Sequence, residues 1–279
     1  MLGIFDGCLL VSDIDGTLLH DGIIPEKNIE AIEWFKNEGG VFTIATGRAI
    51  SAAKYSYELS RANAPLIALN GAAIYDFKNE QFLYEAFLES GCSEIVFEIL
   101  KQFPTVGAEF FNGHDIYLIR GNKGTKQHSE YEHFKFTELP ENPTSVPWGK
   151  VLFAFEDFET VAQVEEYVKK FGDKYGRFVN TCVSEKARYF EFLPRNVNKG
   201  TAIKEMKKLL GLKYSFGIGD FYNDIELIRD ADFGAVVESA PIELKQIANY
   251  VTCTCEDGAV ADFINQISFF MKGSRIWTR

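Results

Sequence analysis

Short apolar runs alternate with segments of helical periodicity in the first part of the chain. The run "CLLVSD" is followed by Ile29, Ile32 and Phe35, which recur at helical spacing within residues 25–39. A continuous apolar run is typical of a strand buried in a parallel sheet, and a recurrence every three to four residues is typical of a helix. The pattern predicts strands over residues 8–13, 40–48 and 65–75 and helices over residues 25–39 and 51–63. This β-α-β-α-β order predicts a Rossmann-like parallel sheet with helices on both faces.

The same alternation returns towards the C-terminus. It predicts helices over residues 198–211, 223–231, 240–248 and 257–267 and strands over residues 214–220 and 232–237. Both ends of the chain therefore indicate one α/β domain.

The middle of the chain has a different pattern, in which an α-β-β unit occurs twice. It predicts helices over residues 92–103 and 158–172, a hairpin over 105–120, and strands over 151–157, 176–183 and 187–193. Asn112-Gly113 marks the turn of the hairpin, and the polar residues 121–149 are predicted to form a loop. We therefore expect an α/β core of residues 1–83 and 195–279, with an α+β cap inserted at 84–194.

Composition narrows the classes of partner. The chain has 279 residues, 46% hydrophobic and 25% charged, and a formal charge of −11. Nucleic acids and anionic membranes attract basic surfaces, so neither is expected as a partner. We expect a small-molecule partner instead, and a protein that is a monomer or a weak dimer.

Cysteine usage and hydropathy favour the cytoplasm. The five cysteines are scattered and odd in number, which is typical of reduced thiols. The N-terminus lacks the basic segment of a signal peptide, and no apolar run reaches the roughly 18 residues of a membrane span.

Polar side chains collect where the predicted parallel strands end. "DIDGT", "ATGR" and "GDFYND" each follow a strand, and "NKG" begins a helix. Ligands of open parallel sheets bind at this edge. Clustered carboxylates repel one another unless a cation lies among them, and an all-oxygen ligand set favours Mg²⁺. Such a cation with an added lysine suits phosphoryl transfer.

These motifs in this order resemble the haloacid dehalogenase (HAD) superfamily of phosphatases, and in particular the Cof-type subfamily with a type IIB cap. The resemblance extends to "NGA" at 70–72 and to "DGAVADFI" near the C-terminus, and so covers nearly the whole chain. It implies a HAD-like core with an inserted cap.

The resemblance implies specific roles for the catalytic residues. Asp13 would be the nucleophile that attacks phosphorus, and Asp15 would protonate the leaving oxygen and later deprotonate water. Lys199 would neutralise the phosphoryl group. An aspartate in the Asp15 position also favours hydrolysis or mutase chemistry over dehalogenation.

The resemblance also implies the binding residues. The phosphate would be held by Ile14, Thr46, Gly47, Lys199 and Asn223. The Mg²⁺ cofactor would be held by Asp13, the backbone carbonyl of Asp15, Asp220 and Asp224, the last supporting either the metal or Lys199.

Three functions remain open at this point. The first is a Mg²⁺-dependent phosphatase that hydrolyses sugar phosphates or nucleotides through an aspartyl-phosphate. The alternatives are a sugar phosphomutase and a non-catalytic sensor of phosphorylated metabolites. Residues 105–120 and 176–195, with Arg195 as an anion contact, are the candidates for substrate specificity.

Other residues receive structural interpretations. Arg48 is expected to orient its loop, and Asn70 and Gly71 to shape a turn. The four histidines have no metal-ligand spacing and are expected at the surface. The tail 268–279 has no assigned structure.

Overall fold

The computed structural model describes residues 3–181 and 188–276, and these form two compact units. The first unit contains the described residues up to Gly47, residues 53–83, and the chain from Asn198 onward. The second contains the short segment Arg48–Ala52 and the continuous stretch Tyr84–Val197. The chain thus leaves the first unit after Leu83 and returns to it at Asn198.

The first unit begins as the alternation of strands and helices predicts. Its N-terminal elements are β1 (Cys8–Ser12), α1 (Glu26–Asn37), β2 (Val41–Ile44), α2 (Ile50–Leu59), β3 (Leu66–Ala68), β4 (Ala73–Asp76) and β5 (Gln81–Glu85). Two of these elements, α2 and β5, cross a boundary between the units. The predicted helices and the first two strands are therefore confirmed.

The inserted stretch contains both repeats of the α-β-β pattern. Its elements are α3 (Cys92–Gln102), β6 (Gly107–Asn112), β7 (Asp115–Arg120), α4 (Lys123–Tyr131), β8 (Lys150–Ala154), α5 (Phe158–Val168), β9 (Arg177–Asn180) and β10 (Tyr189–Leu193). Part of the predicted strand 176–183 and of its connection to β10 lies outside the described residues.

The chain then completes the first unit. Its C-terminal elements are α6 (Lys199–Leu209), β11 (Tyr214–Gly219), α7 (Ile225–Asp230), β12 (Phe233–Val236), α8 (Ile242–Ile247), β13 (Tyr250–Val251) and α9 (Ala259–Ile276). Five parallel strands form a sheet in the order β13-β12-β11-β1-β2. β1 lies between β11 and β2 and is fully buried, which accounts for its unbroken apolar sequence.

The predicted third strand, residues 65–75, is wrong as a single element. The chain reverses over Leu69–Gly71, and β3 pairs with β4 in antiparallel fashion. β3 lies beside the end of β2, where Ala45 and Ile67 form a parallel bridge. The apolar composition of the segment hid the turn, since Leu69 is an unusual residue for the positive φ it adopts.

The second unit is an antiparallel sheet with an apolar layer. The strand order is β7-β6-β8-β10-β9. Apolar residues of α3 and α5, such as Ile99 and Val164, pack with Phe110, Phe153 and Phe190 from the strands. The helices of the α-β-β repeats thus pack against residues of these strands. The predicted fold class, an α/β core with an inserted α+β domain, is confirmed.

A helix replaces part of the predicted loop 121–149. Asn122 accepts a hydrogen bond from the Thr125 N–H and caps α4, while the Thr125 hydroxyl completes the capping box. The buried residues of α4 are Gly124, Thr125 and His128. Because the buried face of α4 has no apolar stripe, hydrophobic periodicity does not predict this helix.

The predicted end of the last helix at residue 267 is also wrong. α9 continues to Ile276, and so includes most of the tail for which the sequence suggested no structure. Ile267 and Met271 are buried one turn apart, and the apolar face thus continues past the predicted end.

His128 is buried, which contradicts its predicted surface position. Its Nδ1 lies 2.7 Å from Glu109 Oε2 and its Nε2 lies 3.3 Å from Glu132 Oε1. Burial lowers the pKa of an imidazole, but the two carboxylates outweigh it and raise the pKa of His128 to about 9. His128 is therefore an imidazolium that joins α4 to β6.

The sequence also predicts reduced cysteines and the absence of a membrane-spanning segment. Cys8, Cys92, Cys253 and Cys255 are free thiols, and Cys182 lies outside the described residues. Across residues 3–181 and 188–276, every helix is too short or too polar to cross a membrane.

We expect the stabilising effect of His128 to decline with rising pH. Folding raises its pKa from 6.5 to about 9. The stabilisation is thus complete below about pH 6.5 and disappears as the pH passes about 9. Urea titrations of wild type and His128→Gln give the difference in their unfolding free energies. This difference should fall by up to about 3 kcal/mol across this interval.

A difference between wild type and His128→Gln that stays constant across this interval would mean that His128 is neutral in the folded protein.

Candidate active site

β1 delivers Asp13 to the carboxyl edge of the parallel sheet. β1 itself ends at Ser12, and the Asp13 N–H donates to the Ile218 carbonyl of β11 at 2.9 Å. Asp13 is buried, whereas Asp15 is exposed. The alternation of side chains along a strand therefore does not account for the position of Asp15, which belongs to the turn after β1.

Lys199 is the first residue of α6, and its ammonium is fully buried. Asn198 and Thr201 form a capping box that fixes this end of the helix. The ammonium pairs with Asp13 Oδ1 and, at 2.7 Å, with Asp224 Oδ1. Burial lowers the pKa of Lys199, but the two carboxylates outweigh it and raise that pKa above its usual value.

Asp224 links Lys199 to the loop after β11. Its second oxygen accepts the N–H groups of Asp220 and Phe221 at 3.1 and 3.2 Å. Gly219 is required at the end of β11, since a Cβ there would overlap the Asp224 side chain. Asp224 thus holds both the lysine and the loop that carries Asp220.

The turn after β1 orients Asp220. The Thr17 hydroxyl donates to Asp220 Oδ1 at 2.9 Å. Gly16 has a φ of +85°, and a Cβ there would lie 2.5 Å from Asp220 Oδ2. Glycine is therefore needed at this position both for the backbone conformation and for the space beside the carboxylate.

Asp13, Asp220 and Asp224 form an acidic cluster suited to a divalent cation. One ligand atom from each lies within 4.8 Å of the others. Burial, with repulsion from the neighbouring aspartates, raises the pKa of Asp13 well above its usual value and that of Asp220 to about 7. When all three are ionised, these carboxylates carry two more negative charges than the Lys199 ammonium offsets. The all-oxygen donor set and this excess charge both fit Mg²⁺.

Neutral polar groups lie beside the acidic cluster. Thr46 is buried after β2, and its carbonyl accepts the Asn70 N–H at 2.9 Å. Asn223 Nδ2 donates to Asn70 Oδ1 at 3.4 Å, and a Cβ on Gly47 would lie 3.1 Å from Asn70 Nδ2. The structure thus connects Thr46, Gly47 and Asn223 through Asn70.

Two of the predicted site residues, Ile14 and Asp15, lie in the turn after β1. The Ile14 carbonyl accepts the N–H groups of Leu18 and Leu19, which closes the turn after β1. Cys255 is a buried thiol, and burial is the main reason that its pKa rises to about 12. The negative charges of Asp220, Asp13 and Asp15 raise this pKa further. The exposed Asp15 precedes Gly16, whose Cα lies against the Asp220 carboxylate of the cluster.

The sequence pattern predicts no contact for Thr17 or Asn198 and only a turn for Asn70. Thr17 belongs to "DIDGT" and Asn198 precedes "KG", so both lie within the motifs. Asn70 follows a strand, but only the structure shows that it lies beside Gly47 and Asn223.

Arg195, a candidate anion contact, has structural partners in the second unit. Its guanidinium donates to the carbonyls of Asp173 and Lys174 at 2.8 and 2.7 Å and lies 3.5 Å from Glu89. Arg48 lies over the Tyr131 ring, 5.8 Å from its centroid.

A model of haloacid dehalogenase-like hydrolases matches residues 10–264. The chain belongs to this family. Its HAD membership confirms both the resemblance drawn from the motifs and the predicted phosphatase class of enzyme.

Two relatives in sequence span nearly all of the chain. A protein named "putative phosphatase" from Streptococcus pyogenes serotype M6 is 31% identical over 273 residues, covering 92% of this chain and 97% of the relative. A 5-amino-6-(5-phospho-D-ribitylamino)uracil phosphatase of Bacillus subtilis strain 168 is 27% identical over 254 residues, covering 90% and 92%.

Solved structures agree on the fold. A haloacid dehalogenase-like hydrolase from Bacteroides thetaiotaomicron has a TM-score of 0.80 at 20% identity and covers 94% of this chain and 99% of its own. The HAD subclass IIB sugar phosphatase BT4131 has a TM-score of 0.77 at 22% identity, with the same coverage.

We expect Mg²⁺ to stabilise the folded protein through the acidic cluster. A ligand that binds only the folded state, at a hundred times its dissociation constant, adds about 2.7 kcal/mol to the unfolding free energy. Asp220→Asn should abolish this gain, measured as the Mg²⁺-dependent rise in thermal midpoint. Without metal the variant should be no less stable than wild type, because it removes a repelling charge.

Asp232→Asn is the matched control, since Asp232 pairs with Lys207 and Ser215 instead. It should keep the full Mg²⁺-dependent rise. An equal rise in Asp220→Asn would show that the cation binds elsewhere.

Proposed function

We propose that the protein is a Mg²⁺-dependent phosphatase that hydrolyses small phosphate monoesters through an aspartyl-phosphate on Asp13. The observation that carries the proposal is the buried Lys199, which pairs with Asp13 and Asp224 beside Asp220 at the carboxyl edge of the sheet. A carboxylate that can attack, a cation that can offset charge and oxygens that can bind a metal would thus act together.

Asp13 attacks phosphorus with one carboxylate oxygen. The new bond joins Asp13 to the phosphoryl group, and the bond from phosphorus to the ester oxygen breaks. Lys199 holds Asp13 in place and offsets the charge of the approaching phosphoryl oxygens. Mg²⁺ bound by Asp13, Asp220, Asp224 and the Asp15 carbonyl would neutralise negative charge on the nucleophile and the phosphoryl group.

Asp15 serves as acid and then as base. It gives a proton to the departing ester oxygen, and the resulting carboxylate removes a proton from the water that attacks the aspartyl-phosphate. The second attack breaks the bond to Asp13 and releases inorganic phosphate. The exposure of Asp15 supports this role, because a general acid in this position must reach both the leaving group and water.

Uncharged donors hold the phosphoryl oxygens. The candidates are the Thr46 hydroxyl, the Asn223 amide, and the backbone N–H groups of Gly47 and Ile14. Hydrogen bonds from such fixed donors strengthen as charge develops on the oxygens.

The substrates that we propose are small phosphorylated metabolites, either sugar phosphates or nucleotides. Three relatives are named 5-amino-6-(5-phospho-D-ribitylamino)uracil phosphatases, and a structural relative is a sugar phosphatase. These names share a phosphate ester of a sugar or of a sugar-derived ribityl chain. The net charge of −11 supports an enzyme without nucleic-acid or anionic-membrane partners. The free thiols support a cytoplasmic location.

A substrate panel tests the proposal. Wild type and Asp13→Asn are incubated with Mg²⁺ and sugar phosphates, nucleotides or the phosphoribitylamino-pyrimidine, and released phosphate is measured. Wild type should release phosphate without a sugar 1,6-bisphosphate, and excess EDTA should stop it. Asp13→Asn should be inactive because an amide is a very poor nucleophile.

Asp232→Asn serves as the control and should retain wild-type activity. A tenth of wild-type activity in Asp13→Asn would contradict the assignment of the nucleophile. Activity that appears only with a bisphosphate, as transfer between positions of one sugar, would favour the mutase.

We expect Asp15→Asn to separate the two half-reactions. p-Nitrophenol hardly needs protonation to leave, so the first step on p-nitrophenyl phosphate should largely survive. Hydrolysis of the aspartyl-phosphate still needs a base and should slow by about 10² to 10⁴-fold. Rapid-mixing absorbance should then show a burst of at most one p-nitrophenol per active site. A wild-type steady rate would exclude Asp15 as the base.

A further inference from the structure

The turn between β3 and β4 contains three successive residues with positive φ. The angles are 52° at Leu69, 52° at Asn70 and 101° at Gly71, and all three residues are buried. Positive φ is unfavourable for leucine, tolerated by asparagine and easy for glycine. Such a backbone persists only where surrounding contacts fix it, and strain of this kind concentrates at functional sites.

The contacts that fix the turn come from the proposed phosphate-binding loops. The Asn70 N–H donates to the Thr46 carbonyl at 2.9 Å. The Asn70 amide lies against Gly47, where an added Cβ would be 3.1 Å from Nδ2, and accepts from Asn223 Nδ2 at 3.4 Å. One side chain therefore lies between the loop after β2 and the loop after β11.

The same turn lies against the start of α6. A Cβ on Gly71 would overlap the carbonyl of Asn198, the residue that caps the helix before Lys199. The backbone of the turn thus contacts the element that delivers the ammonium, while the Asn70 side chain contacts the elements that deliver the neutral donors.

We propose that Asn70 is a positioning residue, which holds Thr46–Gly47 and Asn223 at the separation that a phosphoryl group requires. The proposal rests on the proposed function and extends it to a residue outside the motifs that end the parallel strands. Asparagine meets both demands of the position, since it tolerates positive φ and presents a neutral amide. An aspartate would keep the backbone but place a negative charge beside the phosphate.

Two substitutions separate the amide from the backbone. Asn70→Gly keeps the positive φ and removes the side chain, and Asn70→Asp keeps the shape and changes the charge. Both should fold, with thermal midpoints near that of wild type. Asn70→Gly should raise KM and the inhibition constant of inorganic phosphate by about tenfold, the order expected when one buried polar contact is lost. Asn70→Asp should raise both further.

Asn63 provides the matched control at the opposite end of β2. Its Oδ1 accepts the Phe42 N–H at 2.7 Å and its Nδ2 donates to the Gly40 carbonyl at 3.3 Å. Asn63→Gly and Asn63→Asp should lower the thermal midpoint and leave KM and phosphate inhibition unchanged. A merely structural Asn70 would behave like Asn63.

The outcomes distinguish this inference from the proposed function. If wild type hydrolyses phosphate esters and both Asn70 variants bind inorganic phosphate as wild type does, the positioning role is wrong and the phosphatase stands. If wild type neither hydrolyses the panel nor binds inorganic phosphate with Mg²⁺ in calorimetry, both fall. An equal loss in Asn70→Gly and Asn63→Gly would also overturn the positioning role.

Discussion

The buried ammonium of Lys199 is the interaction on which the site depends. Removing a lysine from water is costly, and only close carboxylates offset that cost. Asp13 follows β1, Asp224 lies in the loop after β11, and Lys199 begins α6, so the ion pairs join three separate segments of the chain at one point. The preference of a helix N-terminus for negative charge explains why this cation needs such partners.

Close packing around these charges restricts the neighbouring backbone. Gly16 and Gly219 stand where a Cβ would meet Asp220 and Asp224. The Thr17 hydroxyl donates a hydrogen bond to Asp220, and the Asp220 N–H donates one to the Asp224 oxygen that does not face Lys199. The aspartates are therefore held in position before any cation binds, and their mutual repulsion is a local cost that a bound metal would relieve.

The sequence revealed those parts of the molecule in which a local pattern has one physical explanation. Buried parallel strands must be apolar, and their ends carry the site, so β1, β2 and β11 and the aspartates beyond them were predictable. The helix α4 was not, because its buried face consists of Gly124, Thr125 and His128. His128 itself is buried only because Glu109 and Glu132 are brought to it by tertiary structure.

Asn70 shows where sequence reasoning stops even inside a recognised motif. The residue type allows a positive φ, and the sequence could indicate a turn but not what the turn contacts. The fold decides this, by reversing the chain after β3 so that the amide meets Gly47 and Asn223. The chemistry at phosphorus follows from residues at strand ends, whereas their exact spacing depends on a neighbour that carries no charge. Motifs therefore predict the reaction class, and the geometry that tunes it must be read from the structure.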